Sequence, residues 1–408
     1  MKLLGPFTQL LPLRDLPPGG PLRDERLEII PRGGLLVAGE RLQDLGPFNE
    51  LRSRHREAVV EEVPGEAVVL PGLVDCHTHI CFAGTRAGDY ARRLAGATYL
   101  ENAQAGGGIL DTVRKTRACP RDDLVKLLLP RCDALLRNGV TTCEVKSGYG
   151  LNTEDERKQL LAIAQADAAH CIDLVPTCLA AHTTPPEFGH PAQYLDYAAQ
   201  EILPRVWNEG LARRADVFVE TGAFEPVAAR GYLEAARRLG FDLVVHAEQF
   251  SAGGADLACE VGAVSADHLE ASSAETLERL ARSGVCAVVL PGSSLGLGLP
   301  FAPARRALDA GCVVAIASDW NPGSAPMGDL LTLAALMGAQ QKLTMGETFA
   351  AITCRAARAL RLSDRGFLQS GNLADLVVFP TGDYREILYH QGQMKPRTVW
   401  KRGQRLFS

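Results

Sequence analysis

Residues 67–80, AVVLPGLVDCHTHI, decide the fold. An apolar run ends in Asp75, one intervening residue and then His77-Thr78-His79. A strand alternates its side chains with period two, so His77 and His79 leave its end on the same side. Two imidazoles at that spacing can share one divalent metal ion. A lone histidine is more often a hydrogen-bonded structural residue, so the pair gains meaning only if other segments bring further ligands to the same place.

Seven more apolar runs follow the first strand candidate (67–77). They are GVTTCEVKS (139–147), IDLVPTCLAAH (172–182), ADVFVE (215–220), FDLVVHAE (241–248), AVSADHLE (263–270), VCAVVLPG (285–292) and CVVAIASD (312–319). Such continuous Val/Ile/Leu/Ala runs are the pattern of strands buried on both faces of a parallel sheet. Helical patterns separate them. Residues 153–169 begin with Thr153…Glu156 and residues 272–283 with Ser272…Glu275, each read as a capping box, and the second stops at Gly284. Further helices are expected near 122–137, 193–209, 226–239, 254–261, 302–310 and 327–340. Eight strands alternating with helices predict an α/β fold, a (β/α)₈ TIM barrel over residues 67–365. Residues 1–66 and 366–408 carry short strand patterns between Gly-rich turns, and the two ends are expected to meet in one small β-sandwich domain. The segment 82–123, with Gly106-Gly107-Gly108, is then the first βα loop, on the face where barrels place their active sites.

Composition narrows the function. The 408 residues hold 43 basic and 48 acidic side chains, a net charge of −5, with no basic patch or tail, so no nucleic-acid partner is expected. No apolar run reaches the length of a membrane span, so no membrane association is expected either. The opening MKLLGPFTQLLPL is broken by Pro6, Thr8 and Gln9 and lacks a small-residue cleavage site, which argues against a signal peptide. Eleven cysteines, odd in number and without a CxxC pair, suit reduced thiols in a cytoplasmic enzyme.

Barrel enzymes draw their catalytic residues from the C-terminal ends of strands. Here the ends are His77 and His79 on strand one, His182 on strand three, His246 followed by Glu248 and Gln249 on strand five, Asp267-His268 on strand six and Asp319 on strand eight. Of nine histidines, five fall at predicted strand ends, too many for five separate structural roles. His77, His79, His246 and Asp319 can supply three nitrogens and one oxygen to a single ion with room left for water. Asp319, before Trp-Asn-Pro-Gly, could instead be a turn residue, but its position after CVVAIAS favours ligand or base. His268 is a candidate electrophile, oriented and charged by a neighbouring carboxylate such as Asp267.

These residues and their order resemble the amidohydrolase superfamily, in particular its one-metal members. The metal-bridging lysine of two-metal members has no counterpart in VFVETGAF after strand four, and Lys146 stands at a different position. FAGTRAGDYARRLAGATYLENAQAGGGILDTVRKTR, EVKSGYGLNTEDE, LAAHTTPPEF, HAEQFSAGGADLA, GAVSADHLE, LPG, APARRALDAG, SDWNPGSAP and GNLADLVVF are similar to the imidazolonepropionase family, from about residue 70 almost to the end. The resemblance implies one zinc or iron ion per subunit on His77, His79, His246 and Asp319. It implies substrate contacts from Arg86, Tyr149, His182, Gln249, Asn321, Gly323 and Ser324, the last three through a turn whose backbone N–H groups could hold an anion. The implied reaction is hydrolysis of the ring C–N bond of 4-imidazolone-5-propanoate by metal-activated water, giving N-formimidoyl-L-glutamate, the third step of histidine degradation. Some relatives carry glutamate where this chain has Gln249, which cannot carry a proton; the proton-transfer role then falls to Asp319 or His268. A homodimer is the expected assembly. The competing readings are a one-metal deaminase of a ring such as guanine or cytosine, and a non-catalytic scaffold of the same fold, which should have lost metal ligands.

Overall fold

The computed structural model of the chain describes residues 1–96 and 106–406. Residues 97–105 of the expected first loop, the ATYLENAQA part of the family motif, lie outside the described residues.

Eight parallel strands form one sheet in sequential order: Leu73–Asp75, Val140–Lys146, Asp173–Ala181, Arg214–Val219, Asp242–Ala247, Ser265–His268, Cys286–Val289 and Val314–Ile316. Each matches one apolar run of the sequence. The first and last strands meet just beyond their ends, where Thr78 bridges Trp320 in parallel. There Asp319 N–H donates to His77 O at 3.1 Å and His79 N–H to Trp320 O at 2.9 Å. Barrel closure therefore runs through the two histidines and the aspartate of interest, which ties their positions to the fold itself. The intervening helices, among them Arg121–Arg137, Thr153–Ala169, Pro226–Leu239, Gly254–Val261, Ala274–Ser283 and Leu330–Gln341, pack their apolar faces on the strands in one large core.

The second sheet is built by both ends of the chain and is mainly antiparallel. Its order is Gln404–Arg405, Thr398–Lys401, Leu376–Phe379, Val68–Pro71, Lys2–Leu10, Ile30–Ala38 and Arg41–Pro47, with Val59–Glu62 also paired to Lys2–Leu10. It encloses its own core of Leu4, Phe7, Leu10, Leu35, Leu42, Val69, Leu376, Val378 and Trp400.

Two local expectations shift. The run 67–77 is not one strand: Val68–Pro71 belongs to the terminal sheet and Leu73–Asp75 to the barrel. The division falls at Gly72, where a Cβ would stand 2.2 Å from Thr141 Oγ1. Pro71 removes a ladder donor at the same point. Both N-caps fall one residue away from the expected capping boxes. Asn152, not Thr153, caps the helix Thr153–Ala169 by accepting from Asp155 N, and Ser273, not Ser272, caps Ala274–Ser283 by accepting from Thr276 N. A capping box with both reciprocal bonds is found instead at Thr344 and Glu347.

Candidate metal centre and substrate pocket

His77, His79, His246 and Asp319 converge at the C-terminal mouth of the barrel. His79 Nε2 lies 3.2 Å from His77 Nε2 and 3.3 Å from His246 Nε2. Asp319 Oδ1 stands 3.5 Å from His77 Nε2 and 3.4 Å from His79 Nε2. A tetrahedral ion with bonds of roughly 2.0–2.1 Å to nitrogen holds its ligand nitrogens about 3.3–3.4 Å apart, so the spacing suits one ion.

Proton bookkeeping at these nitrogens points the same way. His77 Nδ1 donates to Asp267 Oδ2 at 2.6 Å, and His246 Nδ1 lies 3.0 Å from Asp216 Oδ2. Both rings therefore keep a lone pair on Nε2, aimed at His79 Nε2. One His79 proton can serve only one of them, and His79 Nδ1 is buried with no hydrogen-bond partner among the described residues. A cation among the three nitrogens satisfies every lone pair at once. Burial, helped by Lys146 and the neighbouring imidazoles, lowers His77 well below the ordinary value. Burial and the other histidines do the same to His79. Burial brings His246 down to about 4 despite Asp216. Neutral imidazole is the ligand form.

Two of the residues expected to contact substrate, His182 and Tyr149, adjoin this group. His182 Nδ1 donates to Gly148 O at 3.0 Å, which leaves its Nε2 as an acceptor, and its ring stacks 5.3 Å from that of His79. Burial lowers His182 to about 3, so it stays neutral. Tyr149 lies 5.5 Å from His182 and 6.2 Å from His79, ring centre to ring centre. Its loop is shaped by Glu156, which accepts from Gly148, Gly150 and Leu151 N–H at 2.8–3.0 Å, and by Gln159, which accepts from Tyr149 N and donates to Cys81 O. Glu156, read from the sequence as half of a capping box, is spent on this loop.

Arg86 Nε donates to Asp89 Oδ2 at 2.9 Å, and Asp89 also accepts from Arg92 and from Gly108 N. That bond leaves the outer fork of Arg86 turned to the Asn-Pro-Gly-Ser turn, with Nη1 2.2 Å from where a Cβ on Gly323 would sit. The turn itself differs from expectation. Gly323 N–H and Ser324 N–H both donate to Asn321 Oδ1, at 2.7 and 2.8 Å, so they are not open to an anion. Asn321 Nδ2 donates back to Asp319 O at 2.7 Å, and the turn thus braces the aspartate.

His268 differs too. Its carboxylate neighbour is Glu270, 3.7 Å from Nδ1, because Asp267 is turned to His77. Burial draws His268 down, but Glu270, Asp319 and Asp267 outweigh it and hold the imidazole above its ordinary value. Gln249 Nε2 donates to Ser293 Oγ at 2.8 Å. Glu248, at φ 61°, faces away, accepting from Gly253 N and bonding Ser272 Oγ, so it has no part in proton transfer at the mouth.

The sequence reading missed a buried charge cluster next to the histidines: Lys146, Glu144, Asp216 and Asp267, all at most 1% exposed. A signal was present, since acids inside otherwise apolar strands must find partners. It also missed Glu270, Asp89 and Ser293.

The amidohydrolase family model matches residues 96–407, so the chain belongs to the amidohydrolase family. The particular branch follows from its relatives. An imidazolonepropionase of Symbiobacterium thermophilum is 47% identical over 94% of this chain and 93% of its own length. One from Rubrobacter xylanophilus is 44% identical over 94% of each. The chain is thus a member of the imidazolonepropionase branch. Solved structures agree on the fold: a zinc complex of atrazine chlorohydrolase from Arthrobacter aurescens TC1 superimposes with a TM-score of 0.72 at 17% identity, over 100% of this chain and 95% of that one. No described helix is long and apolar enough to cross a membrane.

Proposed function

We propose that the chain hydrolyses 4-imidazolone-5-propanoate to N-formimidoyl-L-glutamate, a step of histidine breakdown in the cytoplasm, as a homodimer with one zinc or iron ion per subunit. The observation that carries the reading is the convergence of His77, His79, His246 and Asp319, with ligand atoms 3.2–3.5 Å apart, and the Arg86 fork against the turn that follows Asp319. A set of three imidazole nitrogens and one carboxylate oxygen accepts zinc and iron alike. When bound, the metal supplies Lewis-acid polarisation and acidifies water.

The chain's own residues do the rest. Arg86 takes the propionate through its outer fork, as a planar guanidinium pairs with a carboxylate. Gly323 gives that fork room, and Asn321 and Ser324 hold the turn beneath it. Tyr149 covers the ring. His182, fixed as a hydrogen-bond donor to Gly148 O, offers Nε2 to a ring N–H, and Gln249 supplies an amide to the ring edge. Water adds its oxygen to the ring carbonyl carbon, and the C–N bond to that carbon breaks. Asp319, which burial raises to about 6 against the pull of His268, accepts the proton of the attacking water and returns one to the departing nitrogen. His268, kept above its ordinary value because Glu270 outweighs burial, donates to the developing oxyanion. Separate Asp319→Asn and His268→Ala variants test these roles, with bound metal measured by elemental analysis. Near-native turnover in both, with metal retained, would refute them.

A further inference from the structure

Lys146 ends the second barrel strand inside the barrel, fully buried. Its ammonium lies 2.8 Å from Asp216 Oδ2, 2.9 Å from the Glu144 carboxylate and 3.8 Å from Asp267 Oδ2. Asp216 is the partner of His246 Nδ1, and Asp267 is the partner of His77 Nδ1. One cation therefore hydrogen-bonds one and ion-pairs with the other of the two carboxylates that fix two of the three clustered histidines. These four residues come from strands two, four and six of the barrel, so they are brought together only by its closure.

We propose that Lys146 is a positioning residue of the metal centre: it sets the placement of Asp216 and Asp267, and through them the tautomer and rotation of His246 and His77. The inference rests on the reading of the three histidines as metal ligands. Carboxylates behind ligating imidazoles fix which nitrogen faces the ion and raise its basicity. Two such carboxylates and Glu144, all buried around one point, repel each other, and without a central cation they would spread apart. That would release the Nδ1 hydrogen bonds and let the rings turn. Arg214, a second cation nearby, lies 3.6 Å from Glu144 and, among the described residues, pairs with neither aspartate, so it does not replace the lysine between them. An ammonium is a compact charge with three rotatable donors, which suits a point among three carboxylates better than a planar fork would. His79 is the contrast. Its Nδ1 has no such partner among the described residues, so its orientation depends on the ion and on barrel closure.

The experiment compares wild type, Glu144→Gln and the charge-balanced pair Glu144→Gln with Lys146→Gln. The zinc dissociation constant is measured by competition with a chromogenic chelator, and the melting temperature of the metal-free protein is recorded separately. Relative to Glu144→Gln, the pair should bind zinc roughly 10–100-fold more weakly, the usual cost of losing an outer partner of a metal-binding histidine. Affinities within about threefold of each other, even with a lowered metal-free melting temperature, would show a merely structural lysine and overturn the proposal. A pair variant that cannot be recovered folded with zinc present would assign Lys146 to the fold and overturn it as well. Wild-type protein that binds no zinc would instead refute the metal-centre reading on which the proposal rests.

Discussion

At the scale of single residues, electrostatics separates the groups at the barrel mouth. His77, His79, His246 and His182 are pushed toward the neutral form by burial, whereas His268 is held above its ordinary value because Glu270 faces it. The cationic form of His268 is the one that donates to an oxyanion, and it is lost as pH rises through the folded-state value. Replacing Glu270 with Gln removes the raising charge, so the alkaline limb of the kcat/KM profile should move to lower pH. An unmoved limb would exclude His268 as that donor. His268→Ala should lower kcat by roughly 10²–10³-fold with metal retained, the usual cost of one oxyanion donor. Most of these residues could be read in the sequence because strand alternation and the strand-end rule place them without any side-chain detail. Glu270 could not, since the residue after Leu269 reaches His268 only through the left-handed backbone at His268 and Leu269.

At the scale of elements, short turns do the aiming. Gly323 leaves space for the Arg86 fork, and Gly323→Ala would put a Cβ 2.2 Å from Nη1. A flexible guanidinium can move aside, so the fold should survive while substrate affinity falls: KM should rise by about tenfold, as expected for weakening one charge-assisted contact by roughly 1.4 kcal/mol. Metal content should not change, and an unaltered KM would remove Arg86 from the carboxylate site. The helix Thr153–Ala169 gives a second check. Asn152→Ala should cost about 1 kcal/mol in urea unfolding, the usual value of an N-cap, and Thr153→Ala should cost less. The sequence suggested the reverse, because Thr153…Glu156 matches the capping-box spacing. Glu156 is drawn away by three backbone N–H groups of the Gly148–Leu151 loop, a tertiary demand that spacing cannot reveal. Gly72 teaches the same lesson. The apolar run 67–77 gave no sign that it serves two sheets, since both halves are fully buried.

At the scale of the molecule, the two sheets are joined by ion pairs as well as by the chain. Asp173, at the start of the third barrel strand, binds Lys401 at 2.8 Å and Arg402 at 3.0 Å from the terminal sheet, and also Arg365. Burial pushes the Asp173 carboxyl up, but Lys401, Arg365 and Arg402 outweigh it and hold it below the ordinary value. A lowered carboxylate stabilises the fold above its unfolded-state value and loses that contribution as pH falls through the folded-state value. Asp173→Asn should therefore cost about 2–3 kcal/mol at neutral pH, as expected for hydrogen bonds to a charged, largely buried group, and the gap to wild type should close in acid below about pH 4. A gap independent of pH would show that packing, not charge, is lost. The barrel was legible because eight buried apolar runs alternate with helical patterns. The Lys146 cluster was not, because charges within strands acquire partners only when the barrel closes. The central claim, a metal centre that opens an imidazolone ring, is tested most directly by following the ultraviolet absorbance of enzymatically generated 4-imidazolone-5-propanoate with purified protein. Loss of absorbance that a chelator abolishes and added zinc or iron restores, without release of ammonia, is the predicted result; no loss, or loss indifferent to the chelator, would contradict it.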